Sequence, residues 1–198
     1  VDNSNLCSNG TIDFVPTYPI RTERLLLRPL TVADADGLLA YRSRPEIHPY
    51  IPTEPWDRER ALDRLNTVFT NTELTDEGQA LGLGVELRET GQLVGDVTLF
   101  YRSREHLGGE VGYVFNPDFG GHGYATEAAR AMLRLGFEEV GLRRIVARID
   151  ERNTASANVA RRLGMRQEAL LVENEFFKGE WSSELQFAML AAEWRHQH

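Results

Sequence analysis

Residues Val111 to Phe137, VGYVFNPDFGGHGYATEAARAMLRLGF, decide how this chain reads. Val111 to Phe115 is apolar and β-branched or aromatic, the composition of a strand. Asn116, Pro117 and Asp118 end it, because Pro has no N–H to give a sheet ladder. Gly120, Gly121, His122 and Gly123 then open a segment in which Tyr124, Ala128, Ala131, Met132 and Leu135 recur at spacings of three and four. That spacing predicts a helix, with Gly136 just inside its end. Strand, glycine turn and helix follow one another. Such a turn aims several backbone N–H groups and the positive end of a helix dipole at one point, where a phosphate or pyrophosphate binds well. Glycines that only permit a tight turn are the plain alternative. A P-loop is excluded, since no Lys-Ser/Thr follows the last glycine. A dinucleotide fingerprint fits poorly, because the strand before this loop comes late, after a meander.

Working outward, residues 1–17 lack periodicity and read as a mobile arm, with a single domain over 18–198. Arg24 to Leu30 predicts a strand ending at Pro29, and Thr31 caps a helix to about Ser43, with Asp34 completing a capping box. Arg44 to Trp56 holds Pro45, Pro49, Pro52 and Pro55, too many for a helix or central strand, and predicts a stiff loop. Asp57 to Asn71 returns to helical spacing. Gln79 to Leu87, Gln92 to Tyr101 and Gly108 to Phe115 predict three consecutive antiparallel strands. Beyond the helix Gly123 to Phe137 come a strand at Arg143 to Ile149 and a helix at Asn153 to Leu163, stopped by Gly164. Two final strands, Met165 to Glu173 and Ser183 to Leu190, are joined by a polar turn at Lys178-Gly179-Glu180. One crossover, from 111–115 to 143–149, reads as parallel. The class is a mixed α/β sheet, not a doubly wound one.

At 198 residues the chain is long enough to bury roughly two-thirds of its unfolded surface. No apolar run approaches the ~20 residues of a membrane span, and no basic-then-apolar signal segment opens the sequence. Because it starts at Val1, an earlier leader stays open. One cysteine, Cys7, leaves no internal disulfide framework and no Cys-based zinc site, so the cytoplasm is the default. The five histidines are scattered and give no metal constellation. A net charge of −8 argues against nucleic acid as the main partner. It suits a cationic partner such as an amine, though solubility explains it equally well. Lys178 is the only lysine. Arg143, Arg144, Arg148, Arg152, Arg161, Arg162 and Arg166 cluster just after the glycine loop and its helix, where a phosphorylated ligand could use some of them.

Gly120-Gly121-His122-Gly123-Tyr124-Ala125 resembles the acyl-CoA pyrophosphate loop of the GNAT N-acetyltransferases, Gln/Arg-x-x-Gly-x-Gly/Ala. The match continues through Ala125-Thr126-Glu127-Ala128, a run common in the RimJ/RimL-like branch. Gly120 departs from the pattern's Gln or Arg, which removes one side-chain contact and leaves the backbone cradle. Ile149-Asp150-Glu151-Arg152-Asn153-Thr154-Ala155-Ser156 and then Leu163-Gly164-Met165 are similar to the family's strand, Asn-x-x-Ser helix start and exit. Arg21-Thr22-Glu23-Arg24-Leu25 and Glu193-Trp194 resemble the two ends of RimJ/RimL-like proteins. The resemblance covers about residues 20–195. It implies a mostly antiparallel central sheet with flanking helices, and a splayed parallel strand pair that binds acyl-CoA. It implies acetyl-CoA as cosubstrate and an amine acceptor, in a monomer or homodimer. The cofactor-binding residues would be Val114, Phe115, Gly120, Gly121, His122, Gly123, Tyr124, Ala125, Asn153, Ser156 and Arg161.

Acyl transfer from a thioester to an amine needs a base for the amine, a donor for the oxyanion and an acid for the thiolate. Glu110 opens the strand that leads into the glycine loop and is placed to accept the amine proton, directly or through water. It stands where RimJ/RimL-like enzymes often place a Glu before Ile/Val-Gly-Tyr. The plain alternative is an exposed carboxylate at a strand end. Ser156, three residues after Asn153, has a hydroxyl that could protonate the departing sulfur; first-turn polarity, with Asn153 as an N-cap, is the alternative. Many relatives use a Tyr seven residues after the Asn, and here that position is Ala160. The oxyanion donor would be a backbone N–H near Val114 or Phe115, if the strand splays there. His122 reads as a solvent-facing loop residue. His48 to Trp56 and Phe176 to Trp181 are candidate acceptor walls, with Glu46, Glu54 or Glu184 available to a cationic amine. The resemblance implies an N-acetyltransferase working by direct transfer, on a protein N-terminal amine of the ribosomal kind. A small amine or antibiotic acceptor, or a non-catalytic acyl-CoA sensor, are the alternatives.

Overall fold

A computed structural model of the chain describes residues 15–197. The arm expected over residues 1–17 therefore lies, up to residue 14, outside the described residues. The frame is one eight-stranded sheet. Its strands are β1 (Ile20–Arg21), β2 (Leu25–Arg28), β3 (Ala80–Leu87), β4 (Leu93–Ser103), β5 (Gly108–Phe115), β6 (Arg144–Asp150), β7 (Arg166–Phe177) and β8 (Glu180–Leu190), in the order β1-β2-β3-β4-β5-β6-β8-β7. Every neighbouring pair is antiparallel except β5 with β6. The mixed, mostly antiparallel sheet expected from the sequence is the one that forms.

Among the described residues five α-helices flank it: α1 (Ala35–Arg42), α2 (Arg58–Thr67), α3 (Tyr124–Arg134), α4 (Thr154–Arg162) and α5 (Ala191–Gln197). Period-two alternation separates the faces. Directly paired residues share a face, so Asp96, Thr98 and Phe100 of β4 lie with Val114, Gly112 and Glu110 of β5. Glu110 pairs with Val146, and further along β6 Arg148 and Asp150 pair with Gln186 and Glu184, continuing the same face. Helix α1 packs against α2 and β4 there, closing a small core of Leu30, Leu38, Tyr41, Trp56, Leu65, Phe69 and Leu93. Helix α3 covers the opposite face over β4 and β5, burying Ala128, Ala129, Ala131, Met132 and Leu133 in the main core.

Three local expectations are corrected. The helix after Thr31 begins as a 3₁₀ turn, Val32–Asp34, before α1; Asp34 accepts the Thr31 N–H at 2.8 Å as the capping box requires. Arg44 to Trp56 is not wholly irregular: Pro45–Tyr50 forms a 3₁₀ helix with Pro45 at its first position, where a missing N–H costs nothing. The helix expected to Phe137 leaves α geometry at Leu135 and ends in a π turn, Leu135–Glu139, closed by Val140 N–H on the Leu135 carbonyl at 2.9 Å.

Candidate active site

The centre of the sheet is open on one side. Strands β5 and β6 pair only at Gly108↔Arg144, Gly109↔Ile145 and Glu110↔Val146, after which they diverge. From Val111 to Phe115 strand β5 is bonded to β4 alone. Asn116 N–H donates to the Val94 carbonyl of β4, and the Leu107 carbonyl accepts from Arg143 just before β6. Alternation along the strand then turns the backbone groups of Val111, Tyr113 and Phe115 into the wedge and those of Val114 toward β4. Of the two expected oxyanion donors, Phe115 faces the opening. Val114 does not; its side chain packs on the α1–α2 core.

The glycine loop sits at the top of this wedge. Asn116 accepts the Asp118 N–H and starts a 3₁₀ turn, Pro117–Phe119, which Gly120 N–H closes on the Pro117 carbonyl. Gly121 (φ 82°) and Gly123 (φ 80°) are both left-handed, a conformation that glycine adopts without a Cβ penalty. Gly120, Gly121, His122 and Gly123 are exposed. The first turn of α3, with Tyr124 and Ala125, leads off with N–H groups that have no helical acceptor. His122 stacks on Tyr124 at 5.5 Å between centroids and stays in solvent, as expected. Arg24, which the sequence had not assigned a role, holds the loop from below. Its Nη1 donates to the His122 carbonyl at 2.9 Å, its Nε to Glu127 at 2.7 Å, and its guanidinium lies over the Tyr124 ring at 4.8 Å. Thr22 Oγ1 donates to the same Glu127 carboxylate at 2.6 Å.

On the other side of the wedge, Asn153 caps α4 by accepting the Ser156 N–H at 3.0 Å. The Tyr113 phenol crosses from β5 to donate to the Ser156 carbonyl oxygen at 2.9 Å, and burial pushes this phenol well up, so it stays a donor. Arg161, expected at the cofactor, turns away: it bonds Asn158 and lies over the Phe187 ring. One residue on, about 100° around the helix, Arg162 points toward α3, its Nε 3.4 Å from Thr126 Oγ1 beside the glycine loop.

Glu110, Asn153 and Ser156 line one cavity of about 390 Å³, together with Val114, Tyr113, Arg148 and Asp150. Its far wall is Asp96, which is 2 % exposed and takes Arg42 (Nη2 to Oδ1 2.5 Å) and the Tyr41 phenol (2.6 Å). A second hollow of about 210 Å³ shares Tyr50, Ile51, Pro52, Glu110, Arg148 and Asp150, and adds Glu175, Phe177, Ser182, Ser183 and Glu184. The proline-stiffened stretch thus supplies a wall, while its Trp56 is buried beneath Arg42. Phe176 and Trp181 face outward as an exposed pair, and their neighbours Phe177 and Ser182 line the hollow instead. Glu110, with its side chain 16 % exposed, accepts from Arg102 Nε at 2.9 Å. Arg148 is held charged chiefly by its hydrogen bond to Glu184, with Glu110 adding to the effect. Burial works against the charge of Asp150, but the bonds from the Arg152 side chain and N–H outweigh it and keep this carboxyl low.

A profile for the "Acetyltransferase (GNAT) domain" matches residues 24–166, which span the wedge, the loop and α4. The chain belongs to the GNAT acetyltransferases. It is 34% identical over 175 residues to the uncharacterized N-acetyltransferase YnaD of Bacillus subtilis (strain 168), covering 88% of this chain and 98% of that one. A crystal structure of a GNAT-family acetyltransferase from Bacillus anthracis superposes with a TM-score of 0.78 at 33% identity, over 87% of this chain and 98% of the other. The spermidine N-acetyltransferase of Vibrio cholerae in complex with CoA and spermine shares the fold, with a TM-score of 0.74 at 20% identity over 88% and 99%.

As a GNAT enzyme the protein is an acetyl-CoA-dependent N-acetyltransferase, and the residues present fit that cosubstrate. The exposed loop leaves open space where a Cβ would stand on Gly121, so a phosphate can approach the backbone closely. The open edge of β5 offers the Tyr113 and Phe115 backbone to an amide-bearing arm. Acetyl-CoA supplies the activated thioester; the loop, the wedge and the cavity beside them are the parts of this chain that would hold it.

Proposed function

We propose that Glu110 and Ser156 carry the proton transfers of direct acetylation of a primary amine bound in this cavity. The observation that carries the reading is that both side chains line one cavity along the β5–β6 wedge. Glu110 accepts a proton from the amine as its nitrogen forms the new bond to the acetyl carbon. Phe115 N–H, on the open edge of β5, stabilises the oxyanion. Ser156 gives its proton to sulfur as the C–S bond breaks and regains one from solvent, to which Glu110 releases the proton that it took. Arg162 takes the place expected of Arg161 near the phosphates, a reading supported by its contact with the first turn of α3. The acceptor is a protein N-terminal amine of the RimJ/RimL kind. This is supported by Thr22 and Arg24 of the Arg-Thr-Glu-Arg-Leu opening, which converge on Glu127 of the Ala-Thr-Glu-Ala run.

A second reading, a small polycationic amine, is favoured by the carboxylates of Glu110, Asp150, Glu175 and Glu184 around the adjoining hollow. Release of CoA with N-terminal peptides and polyamines separates the two. Glu110→Gln should lower kcat by about 10²-fold or more with acetyl-CoA binding kept. Ser156→Ala should lower it by at least about tenfold with α4 intact, since Asn153 supplies the cap. Unchanged turnover in either variant removes that residue from the mechanism.

A further inference from the structure

Tyr50, Ile51 and Pro52 line both cavities. They belong to a segment whose regular structure ends with the 3₁₀ turn at Tyr50, so its placement needs another cause. Two groups converge on the carbonyls that bracket it. From within, the buried His48 ring spans the Thr53 carbonyl (Nδ1, 2.7 Å) and the Arg42 carbonyl (Nε2, 2.8 Å). From outside, Lys178 Nζ donates to the His48 carbonyl at 2.5 Å and to the Thr53 carbonyl at 2.9 Å, with Glu54 at 3.9 Å. Arg152, itself paired with Asp150 and Glu180, adds a contact to the Pro49 carbonyl at 3.4 Å.

The hairpin that carries Lys178 reinforces the point. Lys178 (φ 54°) and Gly179 (φ 80°) form the two central positions of the β7–β8 turn, both left-handed. Asn, Asp and Gly are the residues that such a turn prefers at its first position, so turn chemistry does not explain a lysine there. Charge alone does not explain it either, because every other one of the 22 Lys and Arg residues is arginine. What an ammonium offers at this point is several donors on one compact atom, able to serve two carbonyls at once.

We propose that Lys178 is a positioning residue for the acceptor: it pins His48 to Thr53 in place, fixing the Tyr50–Pro52 wall that the amine must pass. The proposal rests on reading this cavity as the acceptor site. The hairpin tip and the glycine loop lie on different elements, so the clasp acts on the wall of the reaction cavity and not on the phosphate cradle.

Hydrogen exchange tests the clasp without turnover. In Lys178→Met the Ile51 and Trp56 amides, bonded to His48 and Arg42 carbonyls, should exchange about tenfold faster or more while α3 amides keep their rates. With an acceptor that the wild type uses, its KM should rise about tenfold and the KM for acetyl-CoA should rise much less, since the phosphate cradle is not loosened. Lys178→Arg should restore only part of the loss, because its donors are spread over a planar fork and not gathered on one atom. Unchanged exchange in Lys178→Met overturns the proposal, as does a rise shared equally by both KM values. If the wild type acetylates no amine, it is the acceptor reading that fails, and the exchange rates alone still decide whether Lys178 holds the wall.

Discussion

Tyr113 and Ser156 meet across the wedge, the phenol of one donating to the main-chain carbonyl of the other at 2.9 Å. One residue belongs to β5 and the other to the helix that follows β6, so this bond ties together two elements whose strands have already parted. Tyr113→Phe keeps the ring and removes the bond, a loss of about 1 kcal/mol. A melting temperature lower by roughly 2–4 °C should result. Because the bond bridges the cleft proposed for acetyl-CoA, the KM for acetyl-CoA should rise more than the KM for the amine. Steady-state kinetics with each substrate varied in turn checks this, and equal KM values in mutant and wild type would contradict it.

The Asp96 carboxylate, on the cavity wall, serves Arg42 twice (2.5 and 3.1 Å) and Tyr41 once. Asp96→Asn leaves the Arg42 guanidinium buried without its counter-charge, a cost of roughly 3–5 kcal/mol. The midpoint of urea unfolding should fall accordingly. Replacing both partners, Arg42→Met with Asp96→Asn, should cost less than Asp96→Asn alone, because no buried charge then lacks a partner. A double variant that is less stable than Asp96→Asn would refute this account of the pair.

Glu168 is held down to about 2, first by its hydrogen bond from Arg144 and then by Arg166. Its carboxyl is thus lowered on folding, so its contribution is complete above the unfolded value near 4.5 and is lost as pH falls toward about 2. Stability measured from pH 5 downward should decline more gently in Glu168→Gln than in the wild type, with the two curves differing most above pH 5. Parallel curves would show that the Arg144–Glu168–Arg166 cluster carries no such linkage.

How much of this was legible in the sequence depended on range. Strand, glycine turn and helix at 111–134 rest on local periodicity and turn chemistry and formed where expected, while the helix exit at Leu135 departed from them. The parallel crossover was readable too, because a strand, a helix and another strand in series leave few topologies. The partners of Tyr113, Arg24 and Lys178 lie 43, 98 and 130 residues away, and no local pattern encodes them. One signal was present and unused: Asp96 interrupts the apolar run Leu93 to Phe100, and a carboxylate in a buried strand requires a partner. Arg161 and Arg162 differ only by their angle around α4, which packing decides and spacing from Asn153 does not.

Arg24 lines neither cavity, yet it grips the His122 carbonyl inside the loop proposed to bind the phosphates and the Glu127 carboxylate just past it. The start of β2 and the proposed cofactor cradle are therefore one mechanical part. Whatever loosens the docking of β2 should blur the loop, and on the proposed reading a residue outside both cavities helps set how firmly the acyl donor is gripped.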